Sequence, residues 1–183
     1  MSTTPRDTTP LGPPTRTVVL LHEMPDASPI PTHLDWLLEL PLHCRPDPHN
    51  DPNSRSLLAF RLKDGTDTRP DRLQPSITLS ADRLDNHRAL YLFHQGPLPP
   101  PSDAIPLGTP RGSLTRLATG EIHWKSLSEN QLEFIARWPL TEGHLLRVHE
   151  YAATLTREPE SAAWPRALPP GVLARFVLVT HKP

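Results

Sequence analysis

The sequence predicts an all-β protein, a single antiparallel β-barrel of about eight to ten strands with proline-rich loops and little helix. The first observation is that 25 of the 183 residues are prolines, and proline disrupts both helix interiors and sheet ladders. The second is that short segments of β-branched and aliphatic residues recur between the proline clusters. Such spacing is typical of sandwiches and barrels, and it disfavours alternating strands and helices.

Ten segments are predicted to form strands. They are residues 17–24, 33–40, 56–62, 76–80, 89–95, 112–118, 121–127, 131–138, 144–155 and 172–181. The sequence TGE at 119–121 predicts the tightest hairpin, because Gly120 can take the positive φ of a short turn. The apolar spacing in 144–155 fits a helix as well as a strand.

Length and charge limit the possible classes of protein. A chain of 183 residues suits one domain with a substantial core, here residues 16–183 after a disordered polar tail at 1–15. The formal net charge of −1 leaves no global positive field for holding a phosphate backbone. No apolar run is long enough for a membrane span or a signal peptide, and the single cysteine, Cys44, fits a reducing compartment such as the cytoplasm.

A candidate metal site lies in the segment HLDWLLEL, residues 33–40. Alternation along a strand places His33, Asp35, Leu37 and Glu39 on one face and an apolar set on the other. His22 ends the preceding predicted strand and reaches the same place if the two strands pair. Two imidazoles and one carboxylate can hold Mn²⁺, Fe²⁺ or Zn²⁺ and leave positions open for water or substrate. The alternative is a set of ordinary polar residues on a solvated face.

Several motifs occur in an order that resembles a known family. They are LHEMP, HLDWLLE, LLAFRL, NHRALYLFHQGP, and RGSLTRLATGEI followed by a tryptophan, between Thr17 and Trp138. In this order they resemble the 3'-phosphoesterase domain of bacterial DNA ligase D and its stand-alone relatives. The resemblance implies that His22, His33 and Asp35 bind a divalent metal, usually manganese, and that His87 contacts the scissile phosphate.

One departure from the family concerns the phosphate pocket. The family motif usually carries an arginine two residues after the aspartate, whereas this chain has Leu37. A guanidinium can clamp a phosphate with paired hydrogen bonds, so its loss should weaken transition-state binding unless another arginine enters the pocket. The candidate replacements are Arg61, Arg72, Arg88 and Arg111, of which Arg61 is chosen as the phosphate-binding residue; for each of them a surface position is the more common role. Glu39 is a candidate for orienting a metal ligand, the alternative being a partly exposed carboxylate at a strand end.

The resemblance implies a manganese-dependent phosphoesterase that removes 3'-terminal phosphates or ribonucleotides in DNA repair. Its partners would be nucleic-acid 3' ends and a separate ligase or polymerase, with no membrane. One alternative is a barrel that has lost catalysis and binds nucleic-acid ends or a protein; Leu37 and the near-neutral charge favour it, and the retained site residues oppose it. Another is a different hydrolase or oxygenase reaction on the same ligands.

The remaining motifs carry weaker expectations. The insert 44–56 is predicted to be a long loop, with a lid as the alternative. His43, Cys44 and His49 make a poor zinc motif, because a second cysteine is missing. The other expectations are surface positions for His94, His144 and His149, and core positions for Tyr91, Trp124, Phe134 and Trp138.

Overall fold

The computed structural model describes residues 10–47, 51–62, 69–98, 111–142, 145–159 and 171–183, and within them the chain is all-β. The strands are β1 (Thr15–Glu23), β2 (His33–Glu39), β3 (Leu57–Leu62), β4 (Thr78–His87), β5 (Gly96–Pro97), β6 (Ser113–Leu127), β7 (Gln131–Glu142), β8 (Leu145–Arg157) and β9 (Val172–His181). Helical structure in these ranges is limited to 3₁₀ turns of three or four residues. The predicted fold class is confirmed.

Eight antiparallel strands close into the barrel. Their order is β1-β2-β3-β4-β9-β8-β7-β6, and β6 pairs back onto β1, while the short β5 adds to the free side of β6. Closure removes the exposed strand edges that favour aggregation. Strand β1 begins at Thr15, and the Leu11 amide donates to the Trp124 carbonyl oxygen at 3.0 Å. Of the predicted tail at 1–15, residues 1–9 lie outside the described ranges.

The barrel interior is filled by aromatic side chains from strands all around it. The Trp36 and Trp124 rings meet Phe134 edge-on, with ring centroids 5.6 and 5.4 Å apart. Their indole N–H groups donate to the hydroxyls of Thr17 and Thr15, each at 2.9 Å, so burial leaves neither donor unpaired. The predicted core positions of Trp124, Phe134 and Trp138 are confirmed.

A second, smaller apolar cluster lies on the outer face of β1 to β4. It contains Leu20, Leu37 and Ala59 from the strands, covered by Tyr91 and Leu92. Because β1 and β2 alternate, this is also the outward face of His22 and Asp35. The outer cluster therefore gives the candidate site a rigid base on an otherwise solvent-facing side of the barrel.

The predicted strand at 89–95 is wrong, since Ala89–Leu92 form a 3₁₀ turn. The turn buries Tyr91 and Leu92 over the outer cluster and leaves Phe93 exposed. A regular strand would send neighbouring side chains to opposite faces and so could not bury both. The insert 44–56 forms a loop in its described part, whose Pro52 and Ser54 carbonyls accept hydrogen bonds from the turn.

The predicted hairpin at 119–121 is also wrong, because β6 runs unbroken through Gly120. A Cβ atom added there would lie 2.6 Å from the Trp138 ring and 2.4 Å from the Arg137 carbonyl oxygen. Glycine is needed at this position for close approach of the neighbouring strand and not for a turn. The ambiguous segment around 144–155 is a strand, β8, which hydrogen-bonds to both β7 and β9.

Candidate metal centre

Strand pairing brings His22, His33 and Asp35 together. His22 lies directly opposite His33 in the β1–β2 register, and Leu20 lies opposite Asp35. Opposite residues of an antiparallel pair share a face. His22, near the end of β1, therefore lies beside His33 and Asp35, the first two outward residues of β2. The two strands thus pair, which is the condition for His22 to reach His33 and Asp35.

The three side chains face one another without hydrogen-bonding. One ligand atom from each lies within 4.8 Å of the others. His22 Nδ1 is 3.7 Å from Asp35 Oδ2, and His33 Nε2 is 3.5 Å from Asp35 Oδ1. Both distances exceed those of ordinary hydrogen bonds. The side chains are 16%, 6% and 6% exposed, in the order His22, His33 and Asp35, so the expectation of a solvated face is wrong.

Backbone carbonyls determine which nitrogen of each imidazole faces the centre. His22 Nε2 donates to the carbonyl oxygen of Arg111 at 2.7 Å, and His33 Nδ1 donates to that of Pro31 at 2.7 Å. A carbonyl can only accept, so these nitrogens carry the protons. In the neutral imidazoles, His22 Nδ1 and His33 Nε2 therefore keep lone pairs towards Asp35, as metal-ligating histidines do.

The donor set fits a divalent cation. His33 Nε2 and Asp35 Oδ1 are buried and have no hydrogen-bond partner within the described ranges. Leaving a buried polar atom unpaired costs about 1–3 kcal/mol, and an ion bound between the two atoms would remove that cost. Two nitrogens and one carboxylate oxygen suit Mn²⁺, Fe²⁺ or Zn²⁺.

Electrostatics keep the carboxylate ionised. Burial by itself would raise the pKa of Asp35, but interactions with His22 and His33 outweigh it and hold that pKa far below its ordinary value. Burial also acts against a charged His22, whose pKa is nevertheless raised by Asp35 and the Arg111 carbonyl. Asp35 therefore supplies a negative charge where a cation would bind.

The centre opens into a cavity of about 470 Å³. Arg61 lies opposite Asp35 in the β2–β3 register, and its Nε is buried without a hydrogen-bond partner among the described residues. Arg111 also lines the cavity, whereas Arg72 lies exposed beside Asp71 and Arg88 stacks on Tyr91. The lining residues are His22, Met24, Pro25, Ala27, Ser28, Pro29, Ile30, Asp35, Arg61, Leu84, Asp85, His87, Arg111 and Gly171. None of them belongs to the insert 44–56.

His87 reaches the same cavity from the end of β4. The β3–β4 register pairs Leu57 with His87 but Ala59 with Leu84, so β4 holds one extra residue between them, as in a β-bulge. His87 Nδ1 donates to the Asp85 carbonyl at 2.9 Å, leaving the lone pair on Nε2. Burial lowers the pKa of His87, and the Asp85 carbonyl and the Asp35 charge offset only part of that effect.

Glu39 is neither partly exposed nor beside the metal ligands, so both predictions for it are wrong. Its side chain is 3% exposed and receives hydrogen bonds from Arg16 Nε and Nη2 at 3.0 and 2.7 Å. Arg45 Nη2 lies 3.1 Å from the same carboxylate. Glu39 is at the opposite end of β2 from His33, where it joins three segments of chain.

We expect Glu39→Gln to lower the free energy of unfolding at pH 7 by about 2 kcal/mol, because two guanidinium groups lose their charged partner. Burial raises the pKa of Glu39, but Arg16 and then Arg45 lower it below its ordinary value of 4.5. This stabilisation is therefore complete above about pH 4.5 and is lost as the pH falls through the lower folded-state pKa. Urea unfolding at pH 7 and pH 3 measures the difference, with exposed Glu129→Gln as the control. A difference that stayed constant down to pH 3 would contradict this assignment.

Sequence reasoning missed the backbone that positions His22. Gly112 has φ +80°, and a Cβ atom there would lie 2.0 Å from the carbonyl oxygen of Glu23. This close approach holds the Arg111 carbonyl against His22 Nε2. The available signal was the glycine of RGSL at the start of a predicted strand, but a glycine at a strand start is usually a turn residue.

No other histidine within the described ranges joins the centre. His94 and His149, expected at the surface, are half-buried, and His149 Nε2 donates to the Leu73 carbonyl at 2.6 Å. His43 is exposed next to the half-buried thiol of Cys44. His49 and His144 lie outside the described residues.

Comparison with known proteins adds no relative to this description. Among the described residues, no helix is long and apolar enough to cross a membrane. No protein-family model, curated protein or solved structure matches the chain.

Proposed function

We propose that this protein is a cytoplasmic, divalent-metal-dependent phosphoesterase that removes blocking groups from nucleic-acid 3' ends and leaves a 3'-hydroxyl. The observation that carries the proposal is a pair of buried ligand atoms, on His33 and Asp35, that have no hydrogen-bond partner among the described residues. They lie beside His22 at a cavity that also holds Arg61 and His87. The nucleic-acid end, the preference for manganese and a partner ligase or polymerase rest on the resemblance to the ligase D phosphoesterase domain.

His22, His33 and Asp35 would hold the metal. When bound, a divalent ion supplies Lewis-acid chemistry, drawing charge from a phosphate oxygen and lowering the pKa of water. Arg61 and Arg111 would bind the phosphate, since both line the cavity and guanidinium groups match phosphate geometry. His87 Nε2, which holds a lone pair, would accept a proton from the water that adds to phosphorus and would give a proton to the 3'-oxygen as the P–O3' bond breaks.

The structure offers a physical reason for the leucine at the position of the family arginine. Leu37 is fully buried in the outer cluster beneath Tyr91 and Leu92, where a guanidinium would lose its contact with water. Arg61 comes from the neighbouring strand directly opposite Asp35. This placement supports Arg61 as the phosphate-binding replacement.

His87→Gln tests the proposed chemistry. We expect release of phosphate from a 3'-phosphorylated primer with Mn²⁺ to fall by roughly a hundredfold or more, the usual contribution of a general acid. Calorimetry should show unchanged Mn²⁺ affinity, because His87 is not among the three candidate ligands. The matched control is His43→Gln, which changes an exposed histidine outside the cavity.

Two outcomes would count against the proposal. Turnover by His87→Gln at the wild-type rate would remove His87 from the chemistry. A wild-type protein that binds the primer and Mn²⁺ without turnover would favour a binding module instead, the alternative supported by the loss of the family arginine at Leu37.

A further inference from the structure

The loop between β1 and β2 forms one side of the cavity and is largely apolar. Residues 24–30 read MPDASPI, and all of them except Asp26 line the cavity that contains His22 and Asp35. Leu84, from β4, adds further apolar surface. The candidate metal centre, Arg61 and Arg111 therefore share one cavity with an apolar wall formed by the loop residues 24–30.

The polar groups of this loop are engaged within the loop. The Ser28 amide donates to the Pro25 carbonyl at 2.8 Å, and the Ser28 hydroxyl accepts from the Ile30 amide at 3.1 Å. The Met24 amide donates to the Thr32 hydroxyl, also at 3.1 Å. Prolines at 25, 29 and 31 restrict φ and lower the entropy cost of ordering the loop. The wall is thus largely preformed, as ligand pockets usually are.

Ile30 stands at the solvent side of this wall. Its side chain is 37% exposed, and Ala27 and Pro29 beside it are exposed as well. When a ligand covers apolar surface that is exposed to water at a cavity mouth, the free energy of the complex falls and binding is favoured. Charge at one part of the cavity and hydrocarbon at another match a ligand with an anionic group and an apolar group.

We infer that residues 24–30 form the binding wall for the organic group of the phosphoester, and that this group is a flat aromatic ring such as a nucleobase. The inference rests on the proposed function, because the phosphate is placed at the candidate metal centre. A cavity of about 470 Å³ has room for a phosphate and one ring-sized substituent.

Phosphonates separate the ring from the anion without any turnover. Calorimetry with phenylphosphonate and methylphosphonate, each with and without Mn²⁺, measures what the ring adds to binding of the same anionic group. We expect the wild-type protein to bind phenylphosphonate about tenfold more tightly than methylphosphonate, which is the gain in affinity that a small apolar group in a pocket typically provides. Ile30→Ser should bring this ratio close to one, and Met24→Ser provides a second variant of the wall. The control is Leu42→Ser, which changes an exposed leucine outside the cavity, and circular dichroism checks folding.

Each outcome decides the inference. A ring preference in wild type that is lost in Ile30→Ser or Met24→Ser and kept in Leu42→Ser supports the wall. Equal binding of the two phosphonates, binding of neither, or a preference unchanged in both wall variants overturns it. Mn²⁺-dependent binding of methylphosphonate without ring preference would leave the proposed function standing. A ring preference in a protein that binds no Mn²⁺ would retain the wall and overturn the metal centre.

Discussion

Asp35→Asn is expected to weaken Mn²⁺ binding by at least about a hundredfold. Loss of a residue that only hydrogen-bonds to a metal ligand already lowers metal affinity by about 10–100-fold, and Asp35 is itself a candidate ligand. The substitution keeps the shape of the side chain but removes the negative charge that His22 and His33 face. An amide oxygen is also a poorer ligand for a divalent cation than a carboxylate. In the wild type, the strongly lowered pKa of Asp35 keeps this ligand ionised.

A titration of the metal-free protein with Mn²⁺ measures the effect. Asp85→Asn is the matched control, because Asp85 lines the same cavity but is exposed and is not one of the three grouped side chains. Thermal unfolding of the variants distinguishes lost affinity from lost structure. Equal Mn²⁺ affinity in Asp35→Asn and wild type would show that the ion binds elsewhere, and would end the case for a metal centre at this position.

Gly120→Ala is expected to lower the free energy of unfolding by about 3 kcal/mol, near the upper end of the range for overpacking a core. The added methyl group would lie 2.4 Å from the Arg137 carbonyl oxygen and 2.6 Å from the Trp138 ring. Trp138 is fully buried, so its ring has no solvent-filled space into which to move. Relief would require β6 and β7 to separate where they still pair, at Glu121 and Arg137.

Urea unfolding of Gly120→Ala checks this expectation, with Thr119→Ser as the neighbouring exposed control. Exposed substitutions of that kind usually change stability by less than about 0.5 kcal/mol. Stability of Gly120→Ala equal to that of the control would mean that the two strands do not pack this closely. Because Gly120 lies on β6 and outside the cavity, any folded variant should keep its Mn²⁺ affinity.

Local patterns in the sequence predicted much of the fold and part of the site. Alternation in HLDWLLEL separates Trp36, which packs in the barrel interior, from Asp35 and Leu37 on the outer face. Period-two alternation is a property of the strand itself, so it can be read without knowing any neighbour. The pairing of His22 with His33 was also accessible, because a single loop joins their strands.

Expectations failed where the chain meets distant segments. TGE has the composition of a turn, yet packing against Trp138 makes Gly120 part of a strand. Residues 89–95 have the composition of a strand, yet the outer cluster draws Tyr91 and Leu92 into a 3₁₀ turn. In both places tertiary packing overrides local propensity, as is common for β-structure.

By itself, therefore, the sequence determined an all-β chain and the inward and outward faces of β2, and it offered the grouping of two histidines with Asp35 as a hypothesis that depends on the pairing of β1 and β2. Only the tertiary structure decided that Glu39 pairs with Arg16 across 23 positions and that His22 Nε2 donates to Arg111 across 89 positions. It also decided that Arg61 faces Asp35 and that the β1–β2 loop lines the same cavity. The physical reason is that side-chain alternation follows from the geometry of one strand. Hydrogen-bond partners and cavity walls depend on the register between strands that only folding brings together.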